Sequence, residues 1–264
     1  MRKRAILAGA LLAGAVALAA LLLAGHLSSG GAGPRGAPEA LYYDSLAREY
    51  PNPALRDAIV SVLEEHGYNV TVLEGRMAGL EALENLGKYS LIIIRAHGAY
   101  NGDPGSGRPL GTYIYTGLRY EEAAEALGRR ALDRLLRSGD VALGVVPPPG
   151  YRGDPRELPK YIAVSPQFLE RHNHRFKPGA IVVFSGCYGA DDERLASVFL
   201  SRGAGAFIGW RGNISWGVSD ASLEELVRLL AAGRSPESAV SSLPASLRED
   251  PFTGAVLVVY GAGG

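Results

Sequence analysis

Two side chains in this sequence have the chemistry to make and break an acyl bond: His97 and Cys187, the latter the only cysteine among 264 residues. A thiol becomes a strong nucleophile once a base removes its proton, and the thiolate then attacks carbonyl carbon. Histidine supplies such a base near neutral pH. Each residue follows a short apolar run. Leu91-Ile92-Ile93-Ile94 leads into Arg95-Ala96-His97-Gly98, and Ile181-Val182-Val183-Phe184 leads into Ser185-Gly186-Cys187. Runs this short, rich in β-branched residues and bounded by small ones, read as buried parallel strands. Open α/β sheets place their chemistry at the C-terminal ends of such strands. Taken singly, a lone cysteine reads as core filler and a His-Gly pair as a turn. Together they predict a cysteine-nucleophile hydrolase.

The order along the chain narrows this reading. All five histidines (His26, His66, His97, His172 and His174) precede Cys187. That excludes papain-like proteases and α/β-hydrolases, in which the nucleophile comes before its histidine. Ser185-Gly186-Cys187-Tyr188-Gly189 has the outline of a nucleophile elbow but lacks a downstream base.

Histidine first and cysteine second, each at a strand end, resembles the caspase-like cysteine peptidases. Ile94-Arg95-Ala96-His97-Gly98 and Phe184-Ser185-Gly186-Cys187 carry the resemblance, and the segments after the cysteine bring it closest to CHAT domains. Those segments are Arg194 to Leu200, Gly203 to Trp210, Val218-Ser219-Asp220 and Ala255 to Gly261. Three features depart from the pattern. The two residues lie 90 positions apart, against about 50 in caspases. Gly186 stands where many relatives have Ala, and Ser185 where some carry an acid.

The resemblance implies a three-layer α/β/α sandwich with a mostly parallel central sheet, and a His97–Cys187 dyad without cofactor or metal. It also implies an oxyanion hole from the backbone N–H groups of Gly98 and Cys187, such donors contributing on the order of 3 kcal/mol each. The substrate is expected to be a peptide or protein. Asp44, after the first strand, is a candidate floor for a pocket holding Arg or Lys, as in the gingipain and clostripain branch. Asp191 and its neighbour Asp192 compete with it, although acids opening a helix complement its dipole without any substrate. Ser215 and Trp216 are candidate contacts, because relatives pair substrate as an added strand after the corresponding sheet strand. An inactive module binding peptides or partner proteins, and a thiol acyltransferase, are the competing function classes.

Twenty-seven basic and 27 acidic residues balance, so nothing suggests a nucleic-acid binder and none is expected as partner. Arg2-Lys3-Arg4 precedes 21 uncharged residues, Ala5 to Gly25. As a helix these would span about 31 Å, the thickness of a bilayer core. Residues 1–26 are therefore expected to be a signal anchor or signal peptide, and the basic flank puts the body outside the cytoplasm. The protein is expected at the cell membrane, or secreted if that helix is cleaved. Residues 27–38, rich in Gly, Ser, Pro and Ala, read as a flexible linker to a peptidase domain at 39–264.

Strands and helices then alternate. Strands are expected at Leu41-Tyr42-Tyr43 and Asn69 to Leu73. Helices are expected from Asn52-Pro53 to His66 and from Leu80 to Leu86. Residues 101–178 form an insertion between His97 and Cys187. It should hold a loop at 101–107, a hairpin arm at Thr112 to Thr116, a helix at Glu121 to Ser138, an extended segment at Val146 to Tyr151 and a strand at Tyr161 to Val164. This insertion reads either as a lid or exosite, or as a surface excursion. His172-Asn173-His174, near Glu170, lacks further ligands and reads as a basic helix end rather than a metal site. Asn69 and Asn213 head glycosylation-type triplets.

Overall fold

The computed structural model describes residues 36–148 and 150–261. The expected helix at 1–26 and most of the linker lie outside the described residues. Among the described residues, no helix is long and apolar enough to cross a membrane.

A six-stranded sheet forms the centre, in the order β10-β9-β8-β3-β1-β2. Its members are β1 (Glu39–Asp44), β2 (Asn69–Glu74), β3 (Leu91–Arg95), β8 (Ile181–Ser185), β9 (Ala206–Arg211) and β10 (Val256–Gly261). All pairs are parallel except β9 with β10. The apolar runs fill both faces of this sheet. Tyr43, Ile92, Ile94, Val182, Phe184 and Phe207 face one apolar cluster, while Tyr42, Ile93, Val183, Ile208 and Trp210 face another. A strand buried on both faces has no need of polar alternation, which is why these segments are continuously apolar.

Helices cover each face. Helix α1 (Pro53–Glu65) joins the second cluster through Leu55, Ile59 and Leu63. Its start follows from the sequence: Pro53 opens it, and Asn52 Oδ1 accepts from Leu55 N–H at 3.2 Å. Short α2 (Leu80–Glu84) lies on the other side, and a 3₁₀ turn at Leu86–Lys88 replaces the end of the expected helix.

The segment between His97 and Cys187 builds a second sheet, antiparallel, in the order β4-β5-β7-β6. It comprises β4 (Gly98–Asn101), β5 (Gly111–Arg119), β6 (Val141–Val145) and β7 (Lys160–Val164). Ile114, Val164 and Val141 sit opposite one another and enter the first cluster. β4 and β6 were not expected from the sequence. The single helix expected at 121–138 is two, α3 (Tyr120–Leu127) and α4 (Arg129–Ser138). Gly128 separates them at φ 78°, a conformation that glycine adopts without steric cost.

Helix α5 (Pro166–His172) ends at the His-Asn-His motif, whose first two members have structural partners. His172 approaches Asp140 at 3.4 Å, and buried Asn173 donates to the Leu83 carbonyl at 2.6 Å. Helices α6 (Arg194–Ser201), α7 (Trp216–Ala231), α8 (Pro236–Ser242) and α9 (Ala245–Arg248) complete the chain between the last strands.

Candidate active site

β3 and β8 are neighbours in register, with Arg95 opposite Ser185. His97 and Cys187 each lie two residues beyond that last pair, so parallel pairing alone delivers both to one end of the sheet. The two chain ends interlock. Ala96 N–H donates to the Ser185 carbonyl at 3.2 Å. A Cβ on Gly98 would lie 1.9 Å from the Cys187 carbonyl oxygen, and one on Gly186 would lie 2.2 Å from that of Ala96. No side chain fits at either position, so the backbones meet as closely as glycine allows.

Beyond the cysteine, Tyr188 adopts φ 62°, an uncommon conformation for a residue with a side chain. It is fixed from both sides: its N–H donates to the Gly212 carbonyl at 2.8 Å, and its carbonyl accepts from Thr112. Backbone held off its preferred region in this way is concentrated at functional sites.

Three aromatic rings surround His97. Tyr50, Tyr115 and Trp216 present to it at centroid distances of 5.8, 5.9 and 5.0 Å, all near-perpendicular. Its Nε2 is buried without a hydrogen-bond partner among the described residues. Burial, aided by the positive charge of Arg95, lowers its pKa to about 4, so the ring is neutral at pH 7.

Arg95 anchors this surround. Its guanidinium donates to both oxygens of Asp44 (3.0 and 3.1 Å), to both of Asp220 (2.7 and 2.9 Å) and to the Tyr50 carbonyl (3.1 Å). One buried cation therefore ties together β1, the loop that carries Tyr50, and the first turns of α7.

The thiol of Cys187, 9% exposed, donates to Asn213 Oδ1 at 3.0 Å. Burial pushes its pKa up, opposed by hydrogen bonding to the backbone of Ile214 and to its own amide. The resting pair is thus a thiol and a neutral imidazole. The loop carrying Asn213 is pinned at two points: Asp191 accepts from Gly212 N–H at 2.6 Å and Asp250 from Ser215 N–H at 2.7 Å. Against the push of burial, donors from Ser215 and Phe252 hold Asp250 down at about 2.

No protein-family model matches this chain, and no curated protein matches it.

The residues expected from the sequence have varied surroundings. Trp216 meets the histidine ring and stacks on Tyr50 at 5.3 Å. Ser215 holds the loop through its backbone. Asp191 is engaged with Gly212 and Asp192 with Arg194. Asp44 is 1% exposed, its oxygens taken by Arg95, Tyr42 and Leu46 N–H. The crevice between β1 and β3, where Asp44 faces Arg95 in register, already holds a guanidinium. Sequence reasoning missed Tyr50, Tyr115, Asn213 and the Arg95–Asp220 pair. Only Arg95 left a signal, since an arginine ending an apolar strand demands buried partners.

The Gly98 amide is oriented by the second sheet. Tyr115 N–H donates to the His97 carbonyl at 3.0 Å, and Gly98 faces Ile114. Hydrogen-bonded and non-bonded pairs alternate in an antiparallel ladder, so the Gly98 N–H points away from β5. The Cys187 amide faces its own sulfur.

Proposed function

We propose that this protein is a cysteine endopeptidase of the caspase-like type, with Cys187 as nucleophile and His97 as the acid–base residue. The observation that carries the reading is the in-register end of β3 and β8, which brings a base and a thiol to one sheet edge with Gly98 pressed on the Cys187 carbonyl. On this reading the sandwich is the caspase-like one, and the uncharged run at residues 5–25 exports the catalytic body, either anchored in the membrane or released by cleavage.

The chemistry follows from the resting state. His97 takes the thiol proton as sulfur attacks the scissile carbonyl, forming the C–S bond and an alkoxide. The amides of Gly98 and Cys187 are the donors available to that oxygen. Collapse breaks the C–N bond while the imidazolium protonates the departing amine. Water, deprotonated by His97, then hydrolyses the thioester and restores the thiol. Asp44 offers no open carboxylate for a basic side chain, so the preference for Arg or Lys expected from it loses its basis.

The test is turnover of a fluorogenic peptide panel, varied at the residue before the scissile bond, by the full chain beside Cys187→Ala. Cleavage by the parent alone, with labelling of Cys187 by an electrophilic peptide, is the expected result. No cleavage and no labelling would leave a binding module. Acyl transfer to a small acceptor without peptide cleavage would make it a transferase.

A further inference from the structure

The second sheet has a face turned away from the first apolar cluster, and His97 lies on it. Directly paired residues of an antiparallel ladder share a face. The register opposes His97 to Tyr115, Ala99 to Tyr113, Tyr115 to Ala163 and Ala163 to Ala142. The opposite face, with Ile114, Val164 and Val141, is buried in the core. Over part of this face lies a groove of about 470 Å³, within the ~300–1,000 Å³ range of ligand sites. Tyrosines 100, 113 and 115 wall it, and Ala99, Ala142 and Ala163 lower its floor. Gly144 is required for this shape, because a Cβ there would lie 2.0 Å from the Tyr115 hydroxyl. Tyr115 thus contacts the catalytic imidazole on one side and lines the groove on the other.

We propose that this groove binds the substrate segment that follows the scissile bond, and that it selects an acidic side chain there. This deepens the peptidase reading and rests on it. The direction is set by the mechanism: His97 protonates the departing amine, so the leaving segment lies on the histidine side, whereas the acyl half lies over Cys187 and Asn213. The charge preference is set by Arg108, the only charged one among the described residues lining the groove. Burial pushes the Tyr113 hydroxyl up, and the charge of Arg108 opposes that push. Tyrosine walls over an alanine floor suit an extended backbone with small or apolar side chains, and Arg108 suits a carboxylate among them.

The experiment uses internally quenched peptides identical before the scissile bond, carrying Glu, Gln or Lys at the second and third positions after it. Rates are normalised to a substrate whose leaving group is a small fluorescent amine. The full chain is expected to prefer Glu over Lys by about fivefold in kcat/KM, the scale of an exposed ion pair. Arg108→Glu is expected to invert that order. Ala142→Phe, which fills the groove, is expected to lower normalised turnover of every extended peptide by about tenfold, since ~1.4 kcal/mol of lost contact is one decade. Cys187-dependent cleavage that is indifferent to these residues and to both variants would overturn the groove assignment alone. Absence of any Cys187-dependent cleavage would overturn the peptidase reading and this one with it.

Discussion

At the residue scale, the pair His97 and Cys187 is legible as chemistry, but its protonation state is not. A histidine near its ordinary pKa of about 6.5 would begin to lose its base form in mildly acidic solution. Burial among Tyr50, Tyr115 and Trp216, with Arg95 two positions away, lowers it to about 4. Trp216 was anticipated only as a substrate contact, and Tyr50 and Tyr115 reach His97 only through the fold, so no pattern in the chain announces the surround. The consequence is a displaced acid limb. The base form prevails above the lowered pKa, so kcat/KM should be nearly constant from neutral pH down to about 5 and halve near 4. A profile of initial rates against pH checks this. A midpoint at 6 or above would show that the imidazole is not held neutral in the free protein. Asn213, accepting the S–H proton, stabilises the uncharged thiol; on the peptidase reading, ionisation waits for His97 and a bound carbonyl.

At the element scale, the central strands were readable because they are buried on both faces, and a continuous apolar run has few other uses. The start of α1 was readable from Asn52-Pro53. The second sheet was only half readable. β5 and β7 have β-branched and aromatic residues, but β4 is Gly-Ala-Tyr-Asn and β6 ends in Leu-Gly-Val, segments whose pairing is decided by partners far along the chain. β4 matters most to the site, because its first residue is Gly98. Substitution by alanine puts a Cβ where the Cys187 carbonyl stands, so the ends of β3 and β8 must separate by more than an ångström. We expect Gly98→Ala to fold, since the clash is local to the start of β4 and the Cys187 carbonyl, and, on the peptidase reading, to lose about 10²–10³ in kcat, the cost of misplacing an oxyanion donor. Circular dichroism and single-turnover kinetics separate the two effects. Near-normal kcat in a folded variant would remove Gly98 from the oxyanion hole.

At the scale of the whole molecule, the buried groups around the site make stability depend on pH. His97 has a folded pKa of about 4 and an unfolded one near 6.5. Between those values the unfolded chain binds more protons than the folded one, so stability falls as pH drops through that interval. A displacement of this size corresponds to about 3 kcal/mol once fully expressed. Asp250 works lower down. Its folded pKa of about 2 lies below the ordinary carboxylate value, so its contribution is complete above about 4 and disappears only as pH falls toward 2. Burial also raises the Asp44 carboxyl above its ordinary value, against the pull of Arg95, so Asp44 acts with the opposite sign just above pH 4; His97→Gln, which cannot titrate, isolates the histidine's share. Urea unfolding of the full chain at pH 7, 5.5 and 4.5 should show wild-type stability falling stepwise relative to that of the variant over the same range. Equal slopes in the two proteins would mean that the imidazole is solvated in the folded state and that the aromatic surround does not exclude water from it.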